Sequence, residues 1–239
     1  MEAALSHANM AGFAARRAES ERKGRLRGFG FGMYLEQCGG GTDGGVDVRF
    51  REDGTILVLA AQQENGQGHR TTLTQILSDR LGFDADKIEI FQGDSAITPP
   101  GTTGGARMTT ILGSAVAEVA AKTIDNARPH AAEALECAEE EVIFADGVFS
   151  SANTNHSITI EDLALRLVPD NGAHPFDIKH QYETDGATYP YGCHVVELEV
   201  DPGTCKVDLL RYTVVDDFGA VINPITLEGL SLIHISEPT

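Results

Sequence analysis

The sequence predicts an α+β fold in which helices pack on mixed β-sheets. Short apolar runs of strand type are separated by turn signals, among them Asp53-Gly54 and Asp146-Gly147, which favour hairpins. Two longer stretches carry apolar residues at helical spacing, and a glycine-rich segment precedes each of them. With 239 residues and 41% hydrophobic content, the chain is long enough for one globular domain or two small ones.

The first half of the chain predicts a helix followed by strands. An alanine-rich helix is expected over residues 2–25, and Gly28, Gly30 and Gly32 are expected to end it. The segments that follow are a strand over 33–38, a glycine loop over 39–45, strands over 46–50 and 55–62, a helix over 71–82 and a strand over 87–94.

The second half begins with a Gly/Pro/Thr loop over residues 95–110. A helix follows, whose apolar face predicts burial, and Pro129 is expected to kink or end it. The face consists of Ile111, Leu112, Ala115, Val116, Val119 and Ala120. A hairpin over 141–150, a helix over 159–167 with Thr159 and Asp162 at its start, and two strands within 192–217 complete the prediction.

Charge and composition exclude several classes of function. The net charge of -18 argues against a nucleic-acid-binding face or an anionic membrane surface, because such binding needs clustered Lys and Arg. The basic stretch Arg16 to Arg27 also contains acidic residues and is expected to be a solvated amphipathic helix. The sequence has no apolar run near the ~20 residues of a membrane helix and no signal peptide at Met1. Its four dispersed cysteines form no C-x-x-C pair, and the expected location is the cytoplasm.

Two glycine loops are the candidate ligand sites. Gly66-Gln67-Gly68 lies where a strand turns into a helix, and the segment Thr102 to Thr110 repeats that arrangement before the second helix. Glycines let the backbone approach a ligand, and free N–H groups at a helix start favour an anion. A plain tight turn explains the first loop equally well, and a dinucleotide fold is disfavoured because the third glycine is missing. Arg107 is either a ligand contact or an exposed or capping arginine.

Other polar residues have structural interpretations that are favoured over functional ones. His194 shares a strand face with Val196 and Leu198, which predicts a core histidine rather than a metal ligand. Glu197 and Glu199 lie on the other face, where a solvated surface is favoured over acid–base chemistry.

Several motifs together resemble one family. They are "GQGHRTTLTQI", "QGDSAITPPGTTGGARMTTILGSAV", "YPYGCHVVELEVDP" and "LRYTVVDDFGAVINPITLEG". In this order they are similar to the molybdopterin-binding large subunit of the xanthine dehydrogenase, aldehyde oxidase and aerobic carbon monoxide dehydrogenase family. The resemblance covers residues 1–229 and implies the α+β cofactor-binding domain of the xanthine oxidase type.

The resemblance implies that both glycine loops contact the cofactor. The implied contacts are Gly66, Gln67, Gly68, Gly105, Ala106, Arg107, Met108 and Thr109. Ala106 and Met108 stand where serines are commoner, which leaves backbone contacts and puts side-chain contacts from these two positions in doubt. The implied cofactor is molybdopterin, as such or in its cytosine dinucleotide form.

The implied function is hydroxylation of a small molecule with water as the oxygen source. Candidate substrate classes are a purine, an aldehyde, an N-heterocycle or carbon monoxide, and electrons pass to an iron–sulfur subunit and an FAD subunit. The family's catalytic glutamate belongs to a Gly-Glu-Pro segment that this sequence lacks, so no catalytic residue is assigned. We therefore expect residues 1–229 to be part of a longer subunit and the chain alone to be inactive. The alternatives are a non-catalytic, degenerate pterin- or phosphate-binding scaffold, or an unrelated phosphate-binding α+β domain.

The last ten residues, Leu230 to Thr239, are expected to be non-native. Their sequence "LSLIHISEPT" corresponds codon by codon to a sequencing adapter whose inverted end reads AGATGTGTATAAGAGACAG. The alternative is a genuine apolar terminal strand.

Overall fold

The computed structural model describes residues 1–39, 44–167, 172–184 and 186–233. The helices are α1 Glu2–His7, α2 Phe13–Arg22, α3 His69–Leu81, α4 Met108–Leu135, α5 Ile160–Arg166 and α6 Pro224–Leu232. The strands are β1 Leu26–Leu35, β2 Cys38–Gly39, β3 Gly44–Phe50, β4 Ile56–Ala60, β5 Ile88–Gln92, β6 Val142–Ala145, β7 Val148–Ser151, β8 Ser157–Thr159, β9 Ile178–Tyr182, β10 Ala187–Thr188, β11 Tyr191–Val200 and β12 Val207–Asp217. Short 3₁₀ turns cover Met10–Gly12, Ala85–Lys87 and Glu139–Glu141.

The chain forms two compact units with separate hydrophobic cores. The terminal unit comprises residues 1–37 and 188–239, and the central unit comprises Cys38–Ala187. Helices and mixed sheets occur together, which confirms the predicted α+β class.

A four-stranded mixed sheet of order β5-β4-β3-β9 organises the central unit. Strands β3 and β4 form the predicted hairpin, in which Gly54 adopts φ 80° at the turn. Strand β5 lies parallel to β4, and α3 makes the connection between them. This parallel pair brings the carboxyl ends of two strands to the same edge of the sheet.

Helices α3 and α4 pack against each other at a glycine. A Cβ atom at Gly113 of α4 would lie 3.1 Å from Cδ1 of Ile76 on α3. The predicted apolar face of α4 is buried throughout, and the helix continues through Pro129 to Leu135 rather than ending at the proline. Burial of Ala131 and Leu135 beyond the proline offsets the hydrogen bond that an internal proline removes.

The remainder of the central unit is a small antiparallel sheet of order β6-β7-β8 with α5. The predicted hairpin turns at Asp146 and Gly147, with φ values of 49° and 80°. Helix α5 is capped as predicted, because the Thr159 hydroxyl accepts a hydrogen bond of 3.0 Å from the backbone N–H of Asp162.

The terminal unit contains an antiparallel sheet of order β1-β11-β12. The prediction of one helix over residues 2–25 was wrong, since the chain breaks at Asn9, which adopts φ 51° between α1 and the 3₁₀ turn. The glycines expected to precede the first strand lie inside it instead. Pairing with β11 extends β1 back to Leu26, and this tertiary contact overrides the weak strand propensity of Gly28, Gly30 and Gly32.

A buried carboxylate joins α2 to this sheet. Glu197 on β11 is 2% exposed and accepts hydrogen bonds of 2.9 and 2.8 Å from Arg16 and 2.6 Å from Arg27. The expected solvated face for Glu197 is therefore wrong. The solvated amphipathic helix expected over Arg16 to Arg27 ends at Arg22, and Arg27 lies in β1 with its side chain turned to Glu197. The covered face of β11 is the one that carries Cys193, Val195 and Glu197, because α1 and α2 pack there.

His194 lies on the opposite, half-buried face of β11, so the expectation of a core histidine is also wrong. Its ring Nδ1 lies 3.0 Å from the hydroxyl of Tyr212, and its Nε2 lies 3.7 Å from Asp216. Among the described residues, no group of three or more His, Cys, Asp or Glu side chains is arranged to hold a metal ion.

Some sequence predictions concern residues outside the described ranges. These are residues 40–43 of the predicted glycine loop and residues 234–239 of the segment expected to be non-native. Residues 230–232 continue α6. None of the described helices is both long and apolar enough to span a membrane.

We predict that Glu197→Ala lowers the free energy of unfolding by about 3 kcal/mol, because two partly buried guanidinium groups would lose their shared carboxylate. The matched control is Glu21→Ala, which breaks an exposed ion pair with Arg17. It should change the free energy of unfolding by at most about 0.5 kcal/mol. Urea unfolding followed by circular dichroism measures both values. Equal effects of the two substitutions would contradict the structural role of Glu197.

We also predict that this contribution depends on pH. Hydrogen bonding from Arg16 and then Arg27 lowers the pKa of Glu197, against the opposing effect of burial. Its stabilisation is therefore complete above the ordinary glutamate pKa of about 4.3 and is lost as pH falls through the lower folded value. The difference in unfolding free energy between wild type and Glu197→Gln should shrink below that pH. A difference that is constant from pH 7 to pH 3 would refute this expectation.

Candidate functional site

The candidate site lies where two adjacent parallel strands of the central unit end. Ala60, the last residue of β4, pairs in register with Gln92, the last residue of β5. The first glycine loop, residues 61–68, leads from β4 into α3, and the second glycine loop, residues 93–107, leads from β5 into α4. Carboxyl ends of parallel strands, followed by helix N-termini, are common ligand sites in sheets of this kind.

The first glycine loop requires its glycines for backbone conformation. Gly66 and Gly68 adopt φ values of 101° and 80°, in the region that residues with a Cβ rarely occupy. A Cβ atom at Gly66 would have no neighbour within 4 Å, so open space lies beside the backbone at this point. Gln67 between them is exposed, and its Oε1 accepts a hydrogen bond from the backbone N–H of Asn65.

The second glycine loop repeats these features. Gly105 and Ala106 adopt φ values of 59° and 50°, and a Cβ atom at Gly105 would also have no neighbour within 4 Å. Gly101 has a different role, because a Cβ atom there would lie 2.8 Å from the side chains of Ala61 and Gln62. It lets the second loop pack closely on the first.

A direct hydrogen bond also joins the two loops. The Thr103 hydroxyl donates to the backbone carbonyl of Gln63 at 2.7 Å. At the strand ends, the Gln92 side chain donates to the backbone carbonyl of Gln62. The structure thus brings together the two loops that the sequence singled out.

Both helices begin without a side-chain cap. Gly68 at the N-cap of α3 has no side chain to offer, and Arg107 at the N-cap of α4 makes no capping hydrogen bond. Within the described part of the chain, no N-cap side chain accepts a hydrogen bond from the first turn of either helix. Free N–H groups at a helix start suit an anion, and the helix dipole favours negative charge there.

The side chains of the second loop differ in what they can contact. Met108 is 4% exposed and packs in the core, so only its backbone can face a ligand. Ala106 and Thr109 are exposed, and Arg107 is half-buried, with its guanidinium close to Gly104.

Sequence reasoning missed two buried polar residues beside these loops. Gln62 is 1% exposed and packs beneath Gly101, and His69, the first residue of α3, is 3% exposed. Burial lowers the pKa of His69, and the nearby Glu64 opposes this effect. His69 directly follows the G-x-G motif, and that position was the available signal for it.

A family model described as the molybdopterin cofactor-binding domain matches residues 3–230. The chain belongs to this family. Both glycine loops lie inside the matched range, as do all of the strands.

Relatives of this cofactor-binding domain are subunits of larger enzymes. The chain is 29% identical, over 95% of the chain's length, to the 6-hydroxypseudooxynicotine dehydrogenase complex subunit gamma of Paenarthrobacter nicotinovorans. The chain is also 30% identical, over 90% of the chain's length, to the carbon monoxide dehydrogenase large chain of Hydrogenophaga pseudoflava. The chain spans 29% of the length of each of these two relatives.

Solved structures share the fold of this domain. The Cu,Mo-CO dehydrogenase in its carbon monoxide reduced state matches 95% of the chain and 31% of its own chain, with a TM-score of 0.84 and 26% identity. Quinoline 2-oxidoreductase from Pseudomonas putida 86 also matches 95% of the chain and 31% of its own chain, with a TM-score of 0.83. Its identity of 23% supports the fold alone.

We predict that Gly105→Ala destabilises the domain by about 1 kcal/mol, because alanine would be forced into a left-handed conformation. Gly104→Ala is the matched control in the same loop, since the nearest atom to its Cβ would be 3.7 Å away and its φ is not left-handed. We expect the control to change the free energy of unfolding by at most about 0.5 kcal/mol. Chemical denaturation of both variants provides the comparison, and a control as damaging as Gly105→Ala would contradict the conformational argument.

Proposed function

We propose that the two glycine loops bind the pterin and phosphate parts of the molybdenum cofactor in the large subunit of a molybdenum hydroxylase. One observation carries this proposal: two helices without N-cap side-chain hydrogen bonds follow the carboxyl ends of adjacent parallel strands, and each begins three residues after a glycine with open space beside it. An anionic, flat ligand suits such a site, because N–H groups and glycine backbone can approach it closely.

The residues present fit this cofactor. The open sides of Gly66 and Gly105 leave room for a ligand against the backbone, and the first-turn N–H groups of α3 and α4 suit phosphate oxygens. Gln67 uses its Oε1 within the loop, which leaves its amide N–H donors for an acceptor on the pterin. Ala106 and Met108 contribute through the backbone, while Arg107 and Thr109 supply a cation and a hydroxyl at the start of α4.

The bound cofactor supplies the two-electron chemistry that hydroxylates the substrate. The residues of this chain would bind and orient it through the backbone of the two glycine loops and the side chain of Gln67. The Gly-Glu-Pro segment that would provide a catalytic base is not among these 239 residues.

We further propose that the complete subunit works with an iron–sulfur subunit and an FAD subunit. The names of the relatives, a complex subunit gamma and large chains, support a multisubunit enzyme. Two of the relatives are named for nicotine-derived or nicotine substrates and two for carbon monoxide, which supports a small-molecule substrate and does not choose among the classes. We also propose a cytoplasmic location for the complete subunit, as the sequence analysis expects.

A second candidate is a non-catalytic scaffold that keeps the pterin site. Ala106 and the buried Met108 favour it, because they remove two hydroxyl groups from the second loop. Sequencing the source DNA beyond Gly229 separates the two candidates. A Gly-Glu-Pro segment in the continued reading frame supports the enzyme, and its absence from the complete gene supports the scaffold.

We predict that Gln67→Ala reduces cofactor occupancy of the complete subunit about tenfold. Loss of one hydrogen bond to a buried ligand group changes binding by about 1.4 kcal/mol, which is a factor of ten. The measurement is molybdenum per chain by mass spectrometry, with released pterin quantified by fluorescence, after expression with the machinery of cofactor synthesis.

Gln63→Ala is the matched control for this prediction. Gln63 lies in the same loop with an exposed side chain, and its bond to Thr103 uses the backbone carbonyl. We expect the control to keep the wild-type occupancy. A wild-type subunit that carries neither molybdenum nor pterin under these conditions would overturn the proposed function.

A further inference from the structure

His69 occupies an unusual position for a buried histidine. It is the first residue of α3, directly after Gly68, and it is 3% exposed. Its ring Nδ1 is buried and has no hydrogen-bond partner among the described residues. Buried polar atoms are paired in the great majority of cases, so this atom requires an explanation.

The surroundings of His69 show that local pairing is possible in this turn. Thr72, also buried in the first turn of α3, satisfies its hydroxyl with the backbone carbonyls of Gly68 and His69. The Nδ1 atom of His69 has no such partner among the described residues. Burial lowers the pKa of His69, against the opposing effect of the nearby Glu64. A neutral imidazole carries one N–H donor.

The direction of the side chain connects it with the candidate site. Cα–Cβ bonds in an α-helix tilt toward the N-terminus, so a side chain at the first position leans over the preceding loop. For His69 that loop is the first glycine loop, and the uncapped N–H groups of α3 lie at the same helix end. The buried Nδ1 atom, the helix N-terminus and the first glycine loop therefore lie at the same end of α3.

We propose that His69 is a further ligand-binding residue of this site, whose Nδ1–H donates a hydrogen bond to an anionic oxygen of the bound cofactor. This inference rests on the proposed function and deepens it, since it assigns a phosphate-type acceptor to the start of α3. The proposal requires the first loop to shift so that the ligand reaches the buried atom, and glycines at positions 66 and 68 are the residue type that tolerates such a change.

The test compares His69→Leu with His69→Asn in the complete subunit. Leucine fills the space without a polar group, whereas the asparagine amide places a donor near the position of Nδ1. Thr72→Val is the matched control, because it removes a buried hydroxyl from the same turn that bonds only within the helix and to its N-cap. Molybdenum and pterin content are measured for each variant, together with the melting temperature of the cofactor-free form.

We expect His69→Leu to reduce molybdenum and pterin content at least fivefold, while His69→Asn keeps at least half and Thr72→Val keeps the wild-type content. The melting temperature of cofactor-free His69→Leu should equal or exceed that of wild type, because the substitution removes an unpaired buried polar atom. A purely structural histidine would instead give a lower melting temperature.

Each contrary result has a distinct meaning. Wild-type content in His69→Leu would overturn the role of His69 and leave the proposed function intact. Equal losses in the Leu and Asn variants would overturn the Nδ1 hydrogen bond, and a drop in the cofactor-free melting temperature of His69→Leu would assign the residue to folding. A wild-type subunit without cofactor would overturn the proposed function together with this inference.

Discussion

The parallel pairing of β4 with β5 is the constraint on which the candidate site depends. Two strands that run in the same direction need a crossover, and α3 supplies it. The register that pairs Ala60 with Gln92 places both following loops at one edge of the sheet. Residues 66–68 and 105–109 are about forty positions apart in sequence, and this pairing places their loops side by side, where the Gly101 contact and the Thr103 hydrogen bond join them.

Glycines act in two different ways at this edge. Gly66, Gly68 and Gly105 are required because their φ values are left-handed, and open space remains beside Gly66 and Gly105. Gly101 is required because a side chain would collide with Ala61 and Gln62. The first group shapes a surface for a ligand, and the second fixes one loop on the other, so a single composition bias serves both recognition and packing.

The terminal unit is stabilised in a different manner. Its small apolar core contains Ala4, Ala8, Cys193 and Val195, and the charged network around Glu197 adds a long-range link between α2 and β11. Removing one partner of such a network is costly because the remaining charges stay partly buried. Arg16 and Arg27 consequently have a structural role that their place in a basic stretch does not indicate.

The sequence by itself determined what depends on neighbouring residues: the hairpins at Gly54 and Gly147, the Thr159 cap, the apolar face of α4 and the two glycine loops. Turn geometry, capping and periodicity act over a few residues, and their signals are therefore local. Only the tertiary structure decided which face of β11 is covered, that Gly28, Gly30 and Gly32 lie within a strand, and that Glu197 is buried. It also decided that Gln62 is buried and that Nδ1 of His69 is buried with no partner in the described part of the chain, because both depend on which segments pack against these residues.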